Sequence, residues 1–194
     1  MRPVIINHYT YEMTIPSTNF LVINYFINNI FYNGKNNVKS IEVIKMRDKV
    51  IKELNKFLTG VHMGGATFKD YLDKAENLEL KSTLKEIIES FKKHEEAITH
   101  RIEELGENAS DSLGIRGNIA EAFEKIKLIP VDTDCEVCEH AIKAMEMGNK
   151  NANKFIEENE NMEKSILNDI YGVVKDYDNH LNKLKNLQSK LCNY

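Results

Sequence analysis

The residues best suited to chemistry are histidines and cysteines placed inside long periodic stretches. His62, His94 and His180 each stand near the middle of such a stretch. Between Met162 and Leu191 the residues Ile166, Ile170, Val173, Tyr177, His180, Leu184, Leu187 and Leu191 fall on one face at heptad spacing. All are apolar except the central Tyr177 and His180. Three imidazoles around one ion, with a position left open, suit zinc, and copper or iron are the alternatives. Asp176 and Tyr177 lie near enough in sequence to join such a site. The competing interpretation is a set of buried neutral histidines bonded to Tyr177 or to one another, since a buried polar group needs a partner.

Cys135, Cys138 and Cys192 form a second group. An odd, low count with one CxxC pair is no secreted disulfide framework, which favours a reducing compartment and a cytoplasmic protein. With His140 the three thiols could hold zinc, or two of them could form a disulfide. Equally, Cys138 could be a core residue, Cys135 exposed, and Cys192 part of a frayed end. A helix N-terminus lowers a thiol pKa, but Asp132, Asp134, Glu136 and Glu139 oppose that effect here.

These residues must be positioned by helices. A first helix is expected to start between Ser40 and Asp48 and end near Ala75, with Val50, Leu54, Phe57, Val61, Gly64, Phe68 and Leu72 as its stripe. Gly60, Gly64 and Gly65 each cost about 1 kcal/mol against alanine there. A bare surface against which a neighbour, a bulky ring or a ligand packs closely accounts for them. Asn77 is a plausible N-cap of a second helix that ends at Gly106, with Leu84, Ile87, Phe91, His94, Ile98 and Leu105 on its seam. Residues 107–132 form a long connection with a short helix from about Asn118 to Ile129, closed by Pro130. Thr133 and Glu136 form a capping box that starts a third helix running from Asp134 to about Glu158. Cys138, Ala141, Met145, Gly148, Ala152 and Phe155 line it. The fourth helix follows Asn159–Asn161. The fold expected is all-α: a four-helix bundle of two antiparallel hairpins, with a long crossover carrying a short helix.

The hairpins also set depth. His62 lies 15 residues before Asn77 and His94 lies 17 after it; Met145 lies 15 before Glu160 and Tyr177 lies 17 after it. Positions equidistant from a turn share a level, so His62, Phe91, His94, Met145, Tyr177 and His180 converge on one central zone. By the same geometry the three cysteines belong to one end of the bundle.

Residues 1–39 differ from the rest. They hold eight asparagines, are interrupted by Pro3, Pro16 and Gly34, and carry Arg2, Lys35 and Lys39 against Glu12. They are expected to be a disordered tail or a misassigned start, with Met46 a sensible alternative first residue and 40–194 the bundle.

The stretch Leu54–Leu105, with GVHMG at Gly60–Gly64 and FKKHEEAITHRIEELG at Phe91–Gly106, resembles a bacterial ferritin-like family of uncharacterised function, distantly related to rubrerythrin. The likeness covers roughly Lys49 to Gln188. It implies a centre in which two helices each give one carboxylate and two give a Glu-x-x-His pair, because carboxylates bridge hard iron ions and i, i+3 spacing puts both ligands on one face. Here the second helix carries Phe91-x-x-His94 and the fourth Tyr177-x-x-His180. Met145 stands mid-helix in the third, with Glu146 off the seam, and His62 replaces a glutamate in the first. The bridging carboxylates are missing, and oxidase or peroxidase chemistry is not expected with them gone.

Three functions follow as expectations. The first is a non-enzymatic bundle acting through its surface as a structural, stress-related or assembly module. The second is a metal-binding protein using His62, His94 and His180 with zinc or iron. The third is an anchored bundle, if residues 20–32 insert into a membrane; no apolar run reaches the length of a span. A net charge of −4 argues against nucleic-acid binding. Exposed helix faces leave a homodimer open.

Overall fold

The computed structural model describes the backbone of residues 4–6, 9–11, 20–109 and 133–192, and the side chains of 41–109 and 133–192. The chain divides into two compact units, Met1–Met46 and Arg47–Tyr194. The first contains an antiparallel hairpin of β1 (Val4–Ile6) and β2 (Tyr9–Tyr11), with Ile5 opposite Thr10. Helix α1 (Phe20–Lys74) crosses the division. It starts some 20 residues before the expected Ser40–Asp48. No proline follows Pro16 in this stretch, and the lone Gly34 costs only about 1 kcal/mol, which a long helix absorbs. Among the described residues no helix is long and apolar enough to cross a membrane.

The second unit is an all-α four-helix bundle made by the C-terminal part of α1, α2 (Leu78–Glu104), α3 (Asp134–Glu158) and α4 (Lys164–Leu191). The expected short helix in the crossover falls outside the described residues. The ends form as the local chemistry demands. Asn77 accepts from the N–H groups of Glu79 and Leu80, satisfying two donors the helix leaves orphaned. Thr133 and Glu136 close a reciprocal capping box at α3. Gly106 ends α2 at φ 83°, a left-handed conformation natural to glycine. One tie is long-range: the carboxylate of Asp134 accepts from the N–H groups of Glu76 at 2.8 Å and Asn77 at 2.9 Å. The α1–α2 turn is thereby fastened to the start of α3.

Two apolar clusters fill the bundle. One gathers Phe68, Tyr71, Leu80, Leu84, Ile87, Phe91, Ala141, Met145, Val173, Tyr177 and Leu184. The other, nearer the α3–α4 turn, gathers Leu54, Leu58, Ile98, Ile102, Phe155, Ile166 and Ile170. On α1 the buried seam runs through Ile51, Leu54, Leu58, Val61, Phe68 and Tyr71, whereas Phe57 and Leu72 are only partly covered. The shift follows the 3.6-residue helical period rather than a strict heptad. Ion pairs bind α4 to its neighbours: Lys183–Glu86 and Lys190–Glu79 to α2, and Lys185–Glu146 to α3.

Candidate functional site: a central aromatic stack with two histidines

The centre of the bundle is built around rings. Phe91, on the inner face of α2, stands between Phe68 of α1 and Tyr177 of α4, with centroid separations of 5.5 and 5.3 Å. The ring lies directly on the backbone of Gly64, where a built Cβ would sit 2.6 Å from Phe91 Cζ. Gly65 is nearly as close to Phe91 Cβ, at 3.3 Å. On the opposite side Tyr177 approaches Gly148 of α3, 3.4 Å from the place of a Cβ. Met145 is fully buried in the same layer. The bare surface expected on α1 is therefore occupied by a phenylalanine ring at Gly64 and Gly65. At Gly60 nothing approaches within 4 Å.

His94 stands one turn from Phe91 and packs edge-on against Tyr177, with ring centroids 5.9 Å apart. Its Nε2 lies 3.1 Å from Ser90 Oγ and 3.4 Å from Asp176 Oδ2. Burial lowers its pKa, against a raising pull from Asp176. His180, 9% exposed, is lowered first by burial and then by Lys183, while Asp176 and Glu86 pull the other way. Its Nδ1 is buried with no hydrogen-bond partner among the described residues. Burial thus favours the neutral form of both imidazoles. Tyr177 is almost wholly buried, and that burial pushes its hydroxyl pKa well above the ordinary phenol value.

His62 takes a separate position. It is about a quarter exposed and pairs with Glu95 of α2, Nδ1 to Oε2 at 3.3 Å. The structure therefore associates His94, Asp176, Tyr177 and His180 along the α2–α4 face and gives His62 its own carboxylate. Glu95, Ser90 and Glu86 are not among the site residues expected from the sequence. Ser90 was discoverable, since i−4 on a helix puts it on the face of His94.

A family model described as a domain of unknown function, DUF2383, matches residues 49–159. The chain belongs to that family. Among solved structures, the chain is similar to a two-domain protein from Anabaena variabilis containing DJ-1/ThiJ/PfpI-like and ferritin-like domains. The identity is 17% and the TM-score 0.59; the match covers 76% of this chain and 38% of that one. The likeness establishes a ferritin-like fold. The chain spans well under half the length of that two-domain protein. No curated protein matches the sequence.

The cysteines of this DUF2383 member do meet at one end. Cys135, in the first turn of α3, and Cys192, the C-cap of α4, form a disulfide with Cα atoms 5.2 Å apart. Cys138 points into the core, where its thiol donates to the Leu184 carbonyl at 3.4 Å and burial pushes its pKa up to about 11. His140 lies elsewhere, on the groove between α1 and α3. Cys135, Cys192 and Glu139 are the one group of three or more His, Cys, Asp or Glu ligand atoms within 4.8 Å of one another among the described residues. Glu139 was not in the sequence-based set, although its i+4 spacing from Cys135 places it there.

Proposed function

We propose that this DUF2383 protein is a non-enzymatic ferritin-like bundle, a structural, stress-related or assembly module whose ancestral metal centre has become a packed aromatic stack. The observation that carries this reading is the interlock of Phe91 with Gly64, Phe68 and Tyr177. A bridged pair of iron ions needs carboxylates in that layer; phenylalanine, tyrosine and methionine stand there instead. The residues present do not fit a di-iron group. Asp176 and Glu95, the nearby carboxylates, each sit against a histidine at the edge of the layer. Any remaining role then falls to surfaces, and the acidic, charge-dense helix faces suit a protein partner or a second copy better than nucleic acid. A distant kinship with rubrerythrin accompanies this proposal, whereas the Cys135–Cys192 disulfide stands against the reducing, cytoplasmic compartment expected from the cysteine count. Aerobic addition of ferrous iron tests it. The expected result is oxidation no faster than in buffer; protein-dependent, catalytic oxidation refutes it.

One observation favours a second reading. The orphaned Nδ1 of His180, within electrostatic reach of His94 and Asp176, is the kind of group a metal satisfies. Two imidazoles and a carboxylate suit zinc or iron, but the ligand atoms of His94, Asp176 and His180 do not all lie within 4.8 Å of one another and would have to draw together around an ion, with His62 reaching it only by leaving Glu95. Metal content decides between the two.

A further inference from the structure

Helices α1 and α3 do not close against each other along their whole length. Between them lies a groove of about 720 Å³, within the size range of small-molecule sites. Its apolar wall comes from Val61, Phe68, Ala144 and Ala152. Toward one end Phe57 and Phe155 meet with centroids 4.9 Å apart, and the groove continues past them to Glu53 and Glu158. Gly60 widens this part, since nothing stands within 4 Å of the position its Cβ would take.

The other end is different. Tyr71, His140 and Lys143 gather there. At the Phe57–Phe155 end the cations already have partners, Lys56 with Glu53 at 2.7 Å and Lys154 with Glu158 at 3.6 Å. Lys143 is exposed and has no ion pair among the described residues. The Tyr71 side chain is only 4% exposed, and burial and the neighbouring Asp70 carboxylate raise the pKa of its hydroxyl. The groove therefore has an apolar middle, ion pairs beyond Phe57 and Phe155 at one end, and Lys143 without an ion pair at the other, where the Asp70 carboxylate acts on Tyr71 and Lys143 must outweigh it. From Phe57 to Tyr71 the helix rises about 21 Å at 1.5 Å per residue, comparable to an extended palmitate chain.

We propose that the α1–α3 groove binds a long-chain fatty acid, its alkyl chain lying along Gly60 toward Phe57 and Phe155 and its carboxylate at Lys143. The Tyr71 hydroxyl and the His140 ring supply further hydrogen-bond donors for the head group. Burial of the chain provides most of the affinity, and the charge at the mouth fixes which end enters. This site shares the edge of Tyr177 with the central stack but requires no metal, so it stands whether or not the centre holds an ion.

Full-length protein is titrated with cis-parinarate, whose fluorescence rises in an apolar site, and the probe is then displaced by palmitate or by the neutral alcohol of equal length. The expected result is saturable one-to-one binding, with palmitate the better competitor. Lys143→Glu, at an exposed position that leaves the core alone, should weaken palmitate by about tenfold, the scale of one lost charge-assisted hydrogen bond, and barely affect the alcohol. Gly60→Leu fills the groove and should abolish probe binding while circular dichroism and melting temperature stay at or above wild type. The proposal is overturned by absence of saturable binding to the wild type, by equal competition from acid and alcohol, or by palmitate affinity unchanged in Lys143→Glu. Undiminished binding in folded Gly60→Leu overturns it as well.

Discussion

Two glycines of α1, one turn apart, should respond in opposite directions to the same substitution. Alanine is preferred to glycine inside a helix by about 1 kcal/mol. At Gly60 nothing stands within 4 Å of the new methyl group, so Gly60→Ala should stabilise by about that amount. At Gly64 the methyl would lie 2.6 Å from Phe91 Cζ and closer still to Cε1. The ring cannot retreat, because Phe68 and Tyr177 flank it at 5.5 and 5.3 Å. Forcing a methyl group into a packed core costs about 1–3 kcal/mol. Set against the helix gain, Gly64→Ala should be destabilising by up to about 2 kcal/mol. In a unit of this size each kcal/mol moves the melting temperature by roughly 2–4 °C. Urea denaturation followed by far-UV circular dichroism measures both variants on one scale. Trimming the ring should then rescue the clash: Gly64→Ala combined with Phe91→Leu should lose less than the two single changes together, a coupling expected of residues in contact. If Gly64→Ala stabilises the protein as Gly60→Ala does, the packed stack is not the organising feature described here.

Other consequences are independent of the stack. Both buried histidines have folded pKa values below the ordinary 6.5, so the unfolded chain takes up protons first on acidification. Their contribution to stability is complete above about pH 6.5 and falls as pH drops below it; a His94→Gln, His180→Gln variant should show a flatter profile in urea midpoints between pH 7 and 5. The Cys135–Cys192 bond closes a loop with a sequence separation of 57, for which chain entropy gives about 4 kcal/mol. Cys135→Ser should lower the melting temperature accordingly, and a reductant should lower the wild type but not the variant. Asp134→Ala removes two charge-assisted bonds to the α1–α2 turn and should cost about 2 kcal/mol, where Asp134→Asn retains part of the tie.

Much of the bundle is legible because its signals are local. Asn77, Thr133–Glu136 and Gly106 are capping chemistry acting over three or four residues, and their helices end where those residues stand. The 3.5- and 3.6-residue periods put Leu84, Phe91 and His94, and equally Tyr177 and His180, on buried seams. Equal distances from the turns brought Phe91, His94 and Tyr177 to one level. What escaped depends on contacts between helices. Asp134 gave no hint that it fastens the α1–α2 turn, 57 residues upstream. His62 shares the central level, but level does not set azimuth, and its ring pairs with Glu95 instead. Cys138 and Cys135 share one motif, yet one residue faces the core and the other faces Cys192, since i and i+3 on a helix diverge by about 60° at 3.6 residues per turn. The start of α1 was missed for a different reason: an asparagine-rich helix without an apolar stripe has no period to read.

On the proposed reading, the middle of the bundle is filled by side chains rather than organised by an ion. Elemental analysis of protein purified without a histidine tag, before and after incubation with zinc or ferrous iron and dialysis, tests it most directly. The expected result is well under one metal per chain, with the same content in a His94→Ala, His180→Ala variant. One tightly held equivalent in the wild type that the double variant loses would contradict it and place a metal at His94, Asp176 and His180.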